Sequence, residues 1–211
     1  MTFPVTEAMT SRAISARSGL DMGHSYGVEL ALPVPPLQSD AVILRHLRGD
    51  DAPAIVDACC DPAIARFTFM PDGIAEEDAR RWIDDKNARW GTDYSFAIAD
   101  STTDRLIGHA GVAVYPPFQS GELYYWVLTR DRGRGVASTA VSLICDWAFT
   151  NHLERLFLLV HPDNEASHHV ASRCGFTREG TLRAYERVKR SRPDLVSWSL
   201  LPNDDRPWHN A

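Results

Sequence analysis

From Asp40 onward, apolar positions fall into two rhythms. Alternation or short apolar runs mark strands, and a three-to-four-residue period marks amphipathic helices. "AVILRHL" (41–47) reads as a strand. "GDDAPAIVDACC" (49–60) reads as a helix, with Asp50 or Asp51 as cap and Pro53 in the first turn. "AEEDARRWIDDKNARW" (75–90) is a second helix, acidic early and basic late, as the helix dipole favours. "YSFAIAD" (94–100) and "LIGHAGVAVY" (106–115) are strands joined by the hairpin signal "STTD". "GELYYWVLT" (121–129) is another strand. Over Val136–Thr150, residues Ala140, Val141, Ile144, Trp147 and Ala148 keep helical period. "LFLLV" (156–160) is a continuous apolar run, expected of a strand covered on both faces. A short helix follows over Ala166–Cys174, and Gly175 suits its left-handed stop. "TLRAYERV" (181–188), "KRSRPD" and "LVSWSLL" (195–201) read as two strands and a turn.

These elements predict one mixed α/β domain over residues 40–201, followed by a C-terminal tail at 202–211. Residues 1–39 read as an N-terminal arm, because "LPVPPLQ" suits neither a helix nor a central strand. "GVELAL" (27–32) is a candidate edge strand or lid within that arm.

At 211 residues the chain can bury a core without staples, and its 44% hydrophobic and 24% charged content is that of a globular protein. A formal net charge of −6 argues against a general nucleic-acid binder and favours cationic partners such as amines. No stretch approaches the roughly 18 apolar residues of a membrane span, and no basic-then-apolar leader opens the chain. The four cysteines, Cys59, Cys60, Cys145 and Cys174, follow neither zinc nor secreted-framework spacing. Free thiols in a cytoplasmic protein are the expectation.

The chemistry concentrates in "TRDRGRGVASTAV" (129–141), a turn between strand and helix. The first amides of a helix lack partners and carry partial positive charge. Glycines let that backbone approach an anion closely, and Arg132 and Arg134 add charge, which together make a phosphate cradle. The turn lacks the Lys-Ser/Thr of a P-loop and the third glycine of a dinucleotide fingerprint. What remains is Arg-x-x-Gly-x-Ala, at Arg132, Gly135 and Ala137.

That pattern resembles the acyl-CoA pyrophosphate loop of the GNAT N-acetyltransferase superfamily. "HPDNEASHHVASRCGFTREGTLR" (161–183) resembles the family's next block, "LRHLRGDDAPAIV" its opening strand and helix, and "RPDLVSWSLL" its closing strand. Asn-x-x-Ser and Glu-Gly-x-x-Arg are most similar to the ribosomal-protein-alanine (RimJ/RimL) branch. The resemblance implies a mostly antiparallel central sheet, splayed at its middle and flanked by helices. It implies acetyl-CoA as co-substrate, no metal, and direct acetyl transfer to a primary amine, either a protein N-terminus or a small molecule. It leaves room for a homodimer.

By the same resemblance, Gly133, Gly135, Val136, Ala137 and Ser138 join the two arginines in holding the pyrophosphate. Val127, Leu128 and Thr129 run beside the pantetheine, and Asn164 contacts it. An amide near Trp126 or Val127 would stabilise the oxyanion. Glu122 is the candidate base; its other reading is a solvated strand-end carboxylate. The need for a base depends on the acceptor. At pH 7, freeing a lysine-type amine costs about 4.6 kcal/mol and an α-amine about 1.4 kcal/mol. The tyrosine that many members use to protonate the leaving thiolate is replaced by Ala171. Ser167 is the remaining candidate, either reaching the sulfur or capping its helix. Phe67, Phe69, Trp90 and Tyr94 lie where the family shapes its acceptor pocket; for each residue taken alone, core packing is the other reading. His161, His168 and His169 invite a metal reading, but His168 and His169, adjacent on a helix, diverge by about 100° and rarely ligate one ion together. A second functional class stays open, a GNAT-like module that senses acyl-CoA without catalysis.

Overall fold

The computed structural model describes residues 30, 31, 33, 36–189 and 191–209. Strand β1 (Leu37–Gln38) is an edge pairing with β2 (Val42–Arg45). Three helices follow, α1 (Ala52–Cys59), α2 (Pro62–Phe67) and α3 (Glu76–Ala88). The antiparallel run β3 (Asp93–Asp100), β4 (Leu106–Tyr115) and β5 (Ser120–Val127) leads into α4 (Val136–Thr150). The chain then forms β6 (Arg155–Val160), α5 (Glu165–Arg173), β7 (Thr177–Leu182) and β8 (Leu195–Leu200). Among the described residues, eight strands join one sheet in the order β1-β2-β3-β4-β5-β6-β8-β7, and of these neighbouring pairs β5–β6 alone is parallel.

Strand alternation divides the core between the two faces of the sheet. Tyr94, Phe96 and Ile98 meet α4 through Trp147, Ala140 and Ile144. On the opposite face, Ala97 and Trp126 join Ile55, Ile64, Trp82 and Ile83 from the first three helices. Register between β3 and β4 shifts at Ile98/Ala99: Ile98 opposes Gly108 and Ala99 opposes Leu106. The extra residue is Ile107, and this bulge resets the alternation of β4, so Ile107 joins the same core as Ala110 and Val112 while Leu106 joins the opposite one.

Helix α2 is an addition to the sequence reading. Asp61 caps it, accepting from the amides of Ala63 (2.8 Å) and Ile64 (3.3 Å), and Pro62 occupies the first turn. Its signal was legible in "DPAI", but six residues are too few to show a period. Strand β7 corrects the expectation for 181–188: it spans Thr177–Leu182, and a loop follows. Ala184 and Lys189 take positive φ (43° and 52°), a conformation that breaks an extended strand.

Both ends of the described chain dock on α4. Leu30 is buried, its amide donating to Tyr94 Oη (2.8 Å), and Trp147 Nε1 donates to the Ala31 carbonyl (3.0 Å). Most of "GVELAL" lies outside the described residues. The tail is tied down by Asp146, which accepts from Arg206 (2.9 Å) and Trp208 (2.8 Å) and contacts His209. Among the described residues, no helix is long and apolar enough to cross a membrane.

Candidate active site

The parallel seam between β5 and β6 is short. Ser120, Gly121 and Glu122 face Arg155, Leu156 and Phe157, and no pairing follows, although β5 runs on to Val127 and β6 to Val160. Beyond Glu122 the two strands part, as the expected splay requires. A cavity of about 210 Å³ occupies the gap.

Its walls gather residues from distant segments. Glu122 enters at the seam, accepting from Tyr115 Oη at 2.9 Å. Burial and the neighbouring Glu122 carboxylate push the Tyr115 phenol up, so it stays a donor. Phe67 and Phe69, at the end of α2, close another side, and Phe69 is 39% exposed. Glu186, in the β7–β8 loop, is a buried carboxylate on the wall that no sequence pattern marked.

Trp90 and Tyr94 stand apart from this cavity. Their rings pack edge-to-face with each other (5.3 Å), and Tyr94 with Trp147 (5.2 Å), on the α4 side. Strand alternation turns Tyr94 away from the face bearing Asp93 and Ser95. The expectation that this pair shapes the acceptor pocket does not match where the fold puts it.

Asn164 and Ser167 line the cavity near the start of α5. Asn164 is the cap, its Oδ1 accepting the Ser167 amide at 3.2 Å. Ser167 lies within the first turn, so capping does not account for its hydroxyl.

The glycine-rich turn follows Leu128. One 3-10 turn (Thr129–Asp131) leads through Gly133 (φ 75°) to Gly135 (φ 77°), which caps α4. A Cβ at either glycine would meet nothing within 4 Å, so the space beside both glycines, next to the start of α4, is open. This suits a diphosphate. The turn is braced from below by buried Asp131, which accepts from Arg105 Nη2 at 2.9 Å.

Other groups of the predicted cofactor set are already committed. Arg132 Nη2 pairs with Asp61 at 2.7 Å, and its Nε donates to the Val127 carbonyl at 2.9 Å. The Leu128 amide donates to the Ile107 carbonyl (2.9 Å), and Thr129 Oγ1 bonds Asp61. Burial opposes ionisation of Asp61, but Thr129, the α2 amides and Arg132 together hold its carboxyl below the usual range. Arg132 therefore acts as a strut between α2 and the turn. Arg134 is 59% exposed, 3.5 Å from Asp131, and is the arginine turned toward solvent.

A buried polar chain missed by sequence reasoning backs the cavity. Lys86 Nζ meets Asp93 at 2.8 Å, Tyr124 Oη bonds Asp93 and lies 3.2 Å from Ser95 Oγ, and Ser95 Oγ meets His109 Nε2 at 2.7 Å. Gly111 makes room for it: a Cβ there would overlap the Tyr124 hydroxyl and come within 2.6 Å of the Tyr94 carbonyl. Burial first, and then Lys86, depress the His109 pKa well below its ordinary value, so the ring is neutral. Polar residues interrupting the apolar strands, Ser95 in "YSFAIAD" and His109 in "LIGHAGVAVY", were the available signal. All four cysteines are free, and among the described residues no group of three His, Cys, Asp or Glu side chains could hold a metal ion.

Comparison with known proteins places this geometry in a family. Residues 41–177 match the acetyltransferase (GNAT) domain model. The uncharacterized N-acetyltransferase p20 of Bacillus licheniformis is 28% identical over 173 residues, covering 80% of this chain and 97% of that protein. The uncharacterized N-acetyltransferase YoaA of Bacillus subtilis is 29% identical over 161 residues, covering 72% and 88%. Among solved structures, Mycobacterium smegmatis RimJ in complex with CoA-disulfide aligns with a TM-score of 0.71 at 23% identity, covering 80% of this chain and 86% of that one. RimL, a ribosomal L7/L12 alpha-N-protein acetyltransferase in complex with coenzyme A, aligns with a TM-score of 0.71 at 19% identity, covering 81% and 98%. The splayed sheet, the open glycine turn at the α4 tip and the domain match make this chain a member of the GNAT family and an N-acetyltransferase.

Proposed function

We propose that the protein transfers the acetyl group of acetyl-CoA to a primary amine by direct attack, without a covalent enzyme intermediate. The observation that carries the reading is the order of the parts: β5 lines the cavity where it leaves β6 and, past Val127, leads directly into the glycine turn at the α4 tip. Acetyl-CoA fits them as an extended ligand. The amides of 136–138, with Arg134 nearby, would hold its diphosphate, and Asn164 and Ser167 would meet the pantetheine and sulfur end. Bound there, it supplies an activated acetyl thioester.

The protein's part is to orient and to stabilise. Fixing an amine beside a thioester supplies much of the rate. An amide of the parting strand, at Trp126 or Val127, is placed to meet charge growing on the carbonyl oxygen. Glu122 accepts the amine proton, held in position by Tyr115. The cavity's character selects the acceptor. Two carboxylates, Glu122 and Glu186, line it. Carboxylates attract an ammonium group, and Phe67 and Phe69 would cover an adjoining apolar side chain. Both features favour a peptide N-terminus over a polyanionic small molecule. The RimJ and RimL structures support the same class, since RimL is named for acting on a ribosomal protein's α-amine.

A thiol-release assay with acetyl-CoA, a panel of N-terminal peptides and a panel of small amines tests the reading. Acceptor-dependent thiol release, fastest with peptides, is the expected result. Tight acetyl-CoA binding with no acceptor-dependent release would identify a sensor and overturn it.

A further inference from the structure

The family resemblance places a tyrosine at position 171 to help the thiolate leave; here that residue is Ala171, completely buried. The fold supplies a phenol from a different element. Tyr125 lies on β5 past the last β5–β6 pair, opposite Ala110 on β4, and lines the cavity together with Asn164 and Ser167. Its ring packs against the α4-side core, while its hydroxyl is shielded from solvent and has no hydrogen-bond partner. Ser167, on the same cavity wall, and Cys174 are the side chains that act on that hydroxyl. Burial pushes the phenol's pKa up, Ser167 working against the shift, so the proton stays on oxygen and Tyr125 remains a donor. Ser167 is fixed from behind, because its amide is held by Asn164. A shielded donor beside a hydroxyl with no capping duty is an unusual pairing, since buried polar groups normally find partners.

We propose that Tyr125 is a positioning residue for acetyl transfer: its phenol donates to Ser167 Oγ and thereby turns the Ser167 hydrogen toward the departing sulfur. The inference rests on the acetyl-transfer reading above. In the step, the amine nitrogen bonds the carbonyl carbon, the carbon–sulfur bond breaks, and its electron pair goes to sulfur. The amine's proton passes to Glu122. The thiolate accepts the Ser167 hydrogen bond and takes its proton from water on release, so neither hydroxyl ionises. A thiol is far more acidic than an alcohol, and hydrogen bonding alone is what the leaving group needs.

The test is a double-mutant cycle read as kcat, with acetyl-CoA affinity measured by calorimetry. Tyr125→Phe keeps the ring and removes only the donor. The expected result is a kcat lowered roughly tenfold, the size of one lost hydrogen bond to a charged centre, with acetyl-CoA Kd changed less than about twofold. Ser167→Ala lowers kcat at least as much, and Tyr125→Phe adds no further loss in the Ser167→Ala background, because it acts through that hydroxyl. A merely structural role for Tyr125 would give losses that multiply. Multiplying losses, a wild-type rate for Tyr125→Phe, or a wild-type rate for Ser167→Ala would each overturn the inference while wild-type turnover upholds acetyl transfer. No turnover by the unmodified protein with any amine would sink both.

Discussion

Placing a carboxylate in the glycine turn is the sharpest perturbation of the proposed cofactor site. Gly135 sits at φ 77° with open space where a side chain would project, so Gly135→Glu meets no protein atom near its Cβ. Two costs then separate. An L-residue in the left-handed region loses roughly 1–2 kcal/mol of stability, and Gly135→Ala incurs the same loss. The carboxylate adds repulsion toward a bound diphosphate. At roughly 5 Å, each pair of unit charges costs about 1–3 kcal/mol across effective dielectric constants of about 80 to 20. Two phosphate charges at the weaker limit give about 2 kcal/mol, or roughly a 30-fold rise in Kd. Calorimetry with CoA on both variants, each checked for a cooperative thermal transition, isolates the electrostatic part. The difference between the variants should shrink toward 1 M salt, where the screening length is about 3 Å. A Glu variant that binds CoA as tightly as the Ala variant would refute the assignment of the α4 tip as the phosphate site.

Three further predictions concern the surroundings. Glu122→Gln should lower kcat/KM well over tenfold for a lysine-type acceptor and much less for an α-amine, because freeing the two amines at pH 7 costs about 4.6 and 1.4 kcal/mol; equal losses for both acceptors would contradict Glu122 as the base. Asp61→Ala should destabilise the protein by about 1 kcal/mol through loss of the α2 cap, as read by urea denaturation, and raise the acetyl-CoA KM as Arg132 loses its anchor; Asp61→Asn restores only the cap. His109, neutral when folded and titrating near its ordinary value of about 6.5 when unfolded, costs stability as pH falls, at about 1.4 kcal/mol per unit below 6.5 until the folded ring protonates; an NMR titration that charges the folded ring near 6.5 would contradict this.

The stretch from β4 to α5 was legible because its elements carry a clear period and the β5–α4 turn carries glycine. What lay beyond reading was pairwise. Nothing local says that Tyr94 faces α4 while Ser95 faces the cavity side, since both residues sit in one strand and the bulge at Ile107 resets parity on its neighbour. Lys86, Asp93, Ser95, His109 and Tyr124 come from α3, β3, β4 and β5, and only the sheet brings them together. Arg132 was visible as a positive charge, yet its partner Asp61 is remote in sequence, so its role as a strut had no local signature. Tyr125 was hidden for the opposite reason: it sits among the apolar residues of "LYYWV" and reads as one more of them.

The brevity of the β5–β6 seam means that the sheet is two ladders sharing one rung-set, with the rest of the join left to whatever lies in the cleft. The amides of a pantetheine arm would extend the interrupted ladder and knit the halves, so occupancy and fold stability are coupled by mass action. On the proposed site, melting temperature would gauge acyl-CoA supply, and a cell starved of the cofactor would hold this protein nearer its unfolding threshold.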